Sequence, residues 1–154
     1  MGRTASYDEL LTVCIQDLYA AEVILGDTLP TIVKHANAPG LATLVEQTSK
    51  RAVEAANDLA ATRRHSGGAR NLWMAGIVDD ARRDTKSVEK GPLLDAAIIG
   101  AIRKAKAAQI VSYDTATAVA ATLQKDDLVE TLMTIRKDAI AINRRLARLL
   151  PQPG

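Results

Sequence analysis

The sequence predicts an all-α protein: a four-helix bundle with a short extra helix in the middle crossover. Three observations predict it. Phe is absent and the only aromatics are Tyr7, Tyr19, Trp73 and Tyr113, while Ala, Leu, Lys and Arg abound. Strands favour β-branched and aromatic side chains, whereas those four residues favour helix. Apolar residues recur at steps of three and four along several long segments, which is the period of one helix face. Short breaks separate the segments, and short breaks make antiparallel neighbours. At 154 residues the chain is read as one domain, with a core over about 6–149.

The first helix begins at a cap, Ser6 or Thr4, with Asp8 and Glu9 at the positive end of its dipole. It is expected to run to about Ala36, kinked near 26–30 by Pro30 and Gly26. Its stripe is Leu11, Ile15, Leu18, Glu22, Leu25, Leu29 and Ile32. Glu22 therefore sits on the apolar face, where a carboxylate is costly unless it is paired, metal-bound or protonated. "NAPG" (37–40) turns the chain into a second helix over about 41–65, with the stripe Leu41, Leu44, Thr48, Ala52, Ala55 and Leu59. Arg63, Arg64 and His65 suit its negative end, "SGG" stops it, and His35 is read as a similar cap on the first helix.

Residues 71–87 predict a shorter amphipathic helix with Leu72, Trp73, Ile77 and Val78 on its apolar side. Trp73 and Met74 would plug one end or edge of the bundle, and Asp79 would pair with Arg83 on the solvated face. After "EKGPLLD" a long helix is expected over 93–124, and a last one over 126–149 with the stripe Leu128, Leu132, Ile135, Ala139, Ile142, Leu146 and Leu149. Four long helices with a helix-bearing middle crossover suggest a ferritin-like arrangement.

The net charge of +2, from 20 basic and 18 acidic residues, does not by itself imply nucleic acid or membrane. Cys14 is the only cysteine, which excludes an internal disulfide; beside the first helix's apolar face it is read as a small core residue. Residues 1–10 lack the apolar stretch of a signal peptide and no run reaches transmembrane length, so a soluble cytoplasmic protein is expected. There is no glycine-rich phosphate loop, no catalytic triad and no zinc-ligand spacing.

Di-metal bundles place a carboxylate on each of two helices and a carboxylate–histidine pair on each of the other two. Glu22 would be the first such ligand, with Glu54 and Asp138 as weak further candidates. The other inner positions are neutral or positive: Lys50 and Arg51 on the second helix, Lys106 and Gln109 on the fourth long segment.

The chain resembles the ferritin-like YciF-type stress proteins of unknown function over about residues 8–149. The resemblance is carried by "QDLYAAE", the "AP" turn followed by "GLATL", "LWMAGIVDDA", "LLDAAIIGAIRKA" and "SYDT". It implies a dimer and carboxylate-rich helices around a di-iron-like centre. Glu22 matches the family's acidic residue on the first helix. The acidic, histidine-containing stretch of the second helix falls on Thr48 to Ala55, with Lys50, Arg51 and Val53 here. The family's Glu-His-Tyr-Glu pattern falls on Lys106, Ala107, Ala108 and Gln109, and its last acidic run on Lys137, Asp138 and Ala139.

The departures lead to an expectation. Lys106 or Arg51 would neutralise Glu22, with Asp138, Gln109 and the Tyr113 hydroxyl completing a network where the family has metal. No cofactor is expected on this reading. A second reading stays open, in which Glu22 reaches solvent and Lys106 snorkels outward along its alkyl stem.

Three functions follow from the sequence. The first is a non-enzymatic, stress-associated structural or interaction protein, a homodimer by the resemblance. The second is a di-iron or di-manganese oxidase or peroxide-consuming enzyme, which would need further ligands. The third is nucleic-acid binding through Arg136, Lys137, Arg144, Arg145 and Arg148, for which no reading motif is present.

Overall fold

Ser6 opens the first helix: its hydroxyl accepts from Glu9 N at 3.1 Å, and the Glu9 carboxylate reaches back to Ala5 N at 2.6 Å. In the computed structural model, which describes residues 2–152, this helix, α1, spans Tyr7–Ile32 and tightens into a 3-10 turn over Val33–His35. There follow α2 (Pro39–Ala60), α3 (Leu72–Ser87), α4 (Pro92–Thr122) and α5 (Asp126–Arg148). No strand occurs among the described residues, and no helix among them is long and apolar enough to cross a membrane. The chain is an all-α bundle in which α1 packs on α2 and α4 on α5, α1 also lies against α4, and α3 covers α1 and α4.

Pro30 lies inside α1 and does not end it. Proline cannot donate to the carbonyl four residues earlier. That carbonyl, on Gly26, accepts instead from Ser49 Oγ of α2 at 3.2 Å. Gly26 lets α2 come close, since a Cβ there would meet Val53 Cγ2 at 3.3 Å.

Several boundaries differ from expectation. The second helix ends at Ala60 because Ala61–Arg63 form a turn with Arg63 in the left-handed region (φ 60°), before the glycines are reached. His65 therefore caps nothing; its ring packs edge-on against Tyr19 with centroids 4.7 Å apart. His35 falls in the 3-10 turn. Of the expected apolar side of α3, Val78 is buried and Trp73 and Ile77 are partly buried, but Leu72, at the first position, is exposed, and Met74, Ala75 and Ala81 complete the buried face. Asp79 pairs with Arg82, and Asp80 with Arg83, one residue off the expected spacing. Leu149 lies past the end of α5 and is exposed.

The core divides into two apolar clusters. One gathers Leu25, Leu29 and Ile32 of α1 with Leu41, Leu44, Met74, Ile98, Ile102, Ile142 and Leu146. The other gathers Leu11, Ile15 and Leu18 of α1 with Leu59, Tyr113, Ala116, Val119 and Leu132. On α1, α4 and α5 polar residues fall between these sets along the helix. On α1 that residue is Glu22; on α4 they are Lys106 and Gln109; on α5, Asp138.

Candidate functional site

Helical period puts Glu22 in the middle of α1, one turn from Leu18 and one from Leu25, so its carboxylate must enter the interior. It is 2% exposed. Lys106, Gln109 and Tyr113 follow each other at three and four residues on α4 and are equally buried. The Gln109 amide donates from Nε2 to Glu22 Oε1, and the Tyr113 hydroxyl lies 3.4 Å from the same oxygen. The other amide atom, Gln109 Oε1, is buried without a partner. Lys106 touches neither carboxylate directly; its ammonium lies in the fields of Glu22 and Asp138.

Burial dominates the electrostatics. It pushes the Glu22 pKa from 4.5 up to about 7, against the opposing pull of Lys106, Tyr113 and Gln109, while Asp138 adds to the rise. Burial lowers the pKa of Lys106, which Glu22 and Asp138 partly restore. Tyr113 is raised well above the usual phenol value, first by burial and then by Glu22. The result is a polar layer whose carboxyl is poised near neutrality, because an ammonium held at a distance stabilises the charge less than burial opposes it.

Arg51 is not part of this layer. It lies on the surface and holds Glu54 at 3.2 Å and Asp138 at 3.7 Å, so the expected Arg51–Glu22 pairing gives way to an exposed bridge between α2 and α5. Glu54 is exposed and Asp138 stands at the layer's rim, more than a third exposed. The expected residues thus fall into two groups: Glu22, Gln109, Tyr113 and Lys106 inside, and Arg51, Glu54 and Asp138 outside.

A two-metal cage needs carboxylates and imidazoles converging from several helices. Here a single buried carboxylate faces an amide, a phenol and an ammonium, and both outer carboxylates answer to a guanidinium. Among the described residues no group of three or more His, Cys, Asp or Glu is placed to hold a metal ion. This donor set does not fit a di-iron or di-manganese centre.

Three sets of polar contacts that the sequence did not reveal brace the turns and helix starts of the bundle. Asp95, near the start of α4, accepts from the backbone N–H groups of Asn37 and Ala38 at 2.7 and 2.9 Å and so fastens the α1–α2 turn. Asp17 accepts from Asn71 Nδ2 at 2.8 Å and Trp73 Nε1 at 3.2 Å, tying the start of α3 to α1. Arg64 reaches Asp8 and Thr12, both at 2.8 Å. Spacing along the chain carries no signal for any of them, since each joins residues more than fifty positions apart. Cys14 is half-buried beside the second cluster, and burial raises its pKa, which disfavours the reactive thiolate.

Two solved structures share this fold. The E. coli stress protein YciF matches with a TM-score of 0.89 at 20% identity, covering 96% of each chain. YcfI from Rhodopseudomonas palustris, described as a candidate structural protein, matches with a TM-score of 0.88 at 22% identity, covering 96% of this chain and 97% of its own. No curated protein sequence matches this one significantly. The match to a family model extends from Ser6, the cap of α1, to beyond the end of α5: over residues 6–153 the chain belongs to the family described as Domain of unknown function (DUF892).

Proposed function

We propose that this protein is a non-enzymatic, ferritin-like bundle with a stress-associated structural or interaction role, working as a cytoplasmic homodimer. Its central polar layer is a degenerate metal site, in which an ammonium and an amide take over the part that bound cations play in a metal-loaded bundle. The observation that carries this reading is the buried set Glu22–Gln109–Tyr113 with Lys106 beside it. Lys106 brings its amine into the fields of both Glu22 and Asp138, and its protonated form would repel a divalent cation there. The likeness to a stress protein and to a candidate structural protein supports the same role.

A buried polar cluster of this kind contributes less to net stability than to fixing which residues face each other. In a bundle built largely of alanine and leucine, many helix registers bury similar apolar area. Only one brings the Gln109 amide to the Glu22 carboxyl. The layer's role on this reading is to hold one arrangement of four helices, and so to present one constant outer surface.

The test is reconstitution of metal-free protein with iron, manganese and zinc, followed by elemental analysis. The reading expects no stoichiometric metal, and no change in Glu22→Ala. Two tightly bound ions per chain, lost in Glu22→Ala, would overturn it in favour of an oxidase or peroxide-consuming enzyme.

A further inference from the structure

The loop between α2 and α3 folds back on α1 and closes a groove of about 500 Å³ against it. Helical period puts Gln16, Ala20, Val23 and Ile24 on one side of α1, away from the side that carries Glu22. The last three make an apolar floor; all are half-buried, and no residue of α2, α4 or α5 lines the groove among those described. The wall, residues 65–71, is tied down along its length. Gln16 Nε2 donates to Ser66 O at 2.7 Å, a Cβ on Gly68 would lie 2.5 Å from Gln16 Cβ, and Asn71 Nδ2 donates to Asp17 Oδ1 at 2.8 Å. The groove therefore exists before anything enters it, and a ligand need not order the loop.

Charge in the groove is of one sign. Arg70 lines it, is exposed and makes no ion pair among the described residues. His65 lines it too, its ring edge-on against Tyr19. The Nδ1 of that ring is enclosed without a hydrogen-bond partner, which leaves Nε2 as the nitrogen a bound molecule can reach. Among the described residues no acid lines the groove. Asp17 adjoins Gln16 in sequence, but its two oxygens are taken up by Asn71 and Trp73. A cationic ligand finds no partner here. A single guanidinium matches the two oxygens of a carboxylate in a bidentate pair, whereas a phosphate dianion would keep one charge uncompensated.

We propose that this groove binds a small monocarboxylate with an apolar body. Arg70 holds the carboxylate, and Ala20, Val23 and Ile24 receive the tail. The volume lies within the range of small-molecule sites, and an apolar floor with a few convergent polar groups is their usual make-up. This site goes beyond the structural role proposed above and does not depend on the polar layer, which lies on the other side of α1. Metal content decides the one reading and carboxylate binding the other.

The experiment titrates the purified full chain with sodium octanoate and follows its backbone amide signals by NMR. Saturable shifts are expected over residues 16–24 and 65–71, with a dissociation constant of about 1 mM or tighter. Acetate has the charge without the tail, and octylammonium the tail without the negative charge; each is expected to bind about tenfold more weakly or worse. Octanoate is expected to lose as much affinity in Arg70→Gln and in Val23→Asp, with circular dichroism to verify folding. Arg70 is exposed and unpaired, so Arg70→Gln keeps the test decisive if Val23→Asp does not fold. Shifts that do not saturate, that saturate elsewhere on the chain, that acetate or octylammonium matches, or that persist unchanged in Arg70→Gln would each overturn the proposal.

Discussion

Gln109 donates its side-chain amide to the carboxylate of Glu22 at the level where the two apolar clusters of the bundle meet. One residue on α1 and one on α4 thereby set the relative height of the two helices. Tyr113, one turn further along α4, lies against the same oxygen, and Lys106, one turn back, adds positive charge without touching it.

The pH dependence of stability follows from Glu22. Its folded pKa is raised from 4.5 to about 7 by burial. For a raised acid the folded state binds the proton more tightly than the unfolded state does. The contribution is therefore fully present below pH 4.5 and is lost as pH rises to about 7. Denaturant unfolding should show wild type losing up to about 3 kcal/mol relative to Glu22→Gln across that window. Lys106 works in the opposite sense: its folded pKa is lowered by burial, so its contribution is fully present above 10.5 and is lost as pH falls through the folded pKa. A flat difference between the two proteins from pH 4 to 8 would contradict the burial of an ionisable carboxyl.

Removing Lys106 leaves Glu22 without its nearest positive charge and opens a void in the interior. Lys106→Ala should cost about 3 kcal/mol at pH 8, against less than about 0.5 kcal/mol for the exposed Lys90→Ala. The cost should shrink at pH 5, where Glu22 takes up a proton. Equal costs for the two lysines, measured by urea unfolding, would place the Lys106 charge in water.

Asp95 fastens the α1–α2 turn through its two backbone donors. Asp95→Ala strips two backbone N–H groups of their acceptor and should cost about 2 kcal/mol. Amide exchange at Asn37 and Ala38 should accelerate more than elsewhere in the chain. If those two amides keep their protection, another acceptor holds the turn.

Glycines separate into tolerant and intolerant positions. A Cβ on Gly68 would lie 2.5 Å from Gln16 Cβ, so Gly68→Ala must lift the loop off α1 and break the 2.7 Å bond from Gln16 to Ser66 O; a cost of about 2 kcal/mol is expected. Gly76 and Gly100 lie inside helices with open space around them. Alanine there should stabilise by about 0.5–1 kcal/mol. Thermal melts of the three variants should fall on opposite sides of wild type.

The helices were legible because period is a local property. All seven residues of the α1 stripe, Glu22 included, are buried, as are all six of α2. Ends were less legible. The stop of α2 depends on Arg63 adopting a left-handed conformation that nothing about arginine announces. Glu22, Gln109, Tyr113 and Lys106 could be named because each interrupts an apolar face. Arg51 was misplaced because sequence gives height along a helix more securely than angle around it: Arg51 sits near the right level, but on the face that looks outward. Asp95 and Asp17 escaped notice because a carboxylate near a helix end has many uses, and only the folded chain shows which backbone it reaches.

The central claim is that Glu22 and Lys106 act on one another inside the bundle, and a double-mutant cycle tests it most directly. Glu22→Gln, Lys106→Met and the two together should be unfolded in urea at pH 8, where the carboxyl is ionised. The account predicts that the double variant is more stable than the sum of the single losses allows, by about 1 kcal/mol or more. Strict additivity would mean that the two charges do not feel each other, and the proposed substitution of an ammonium for bound cations would be wrong.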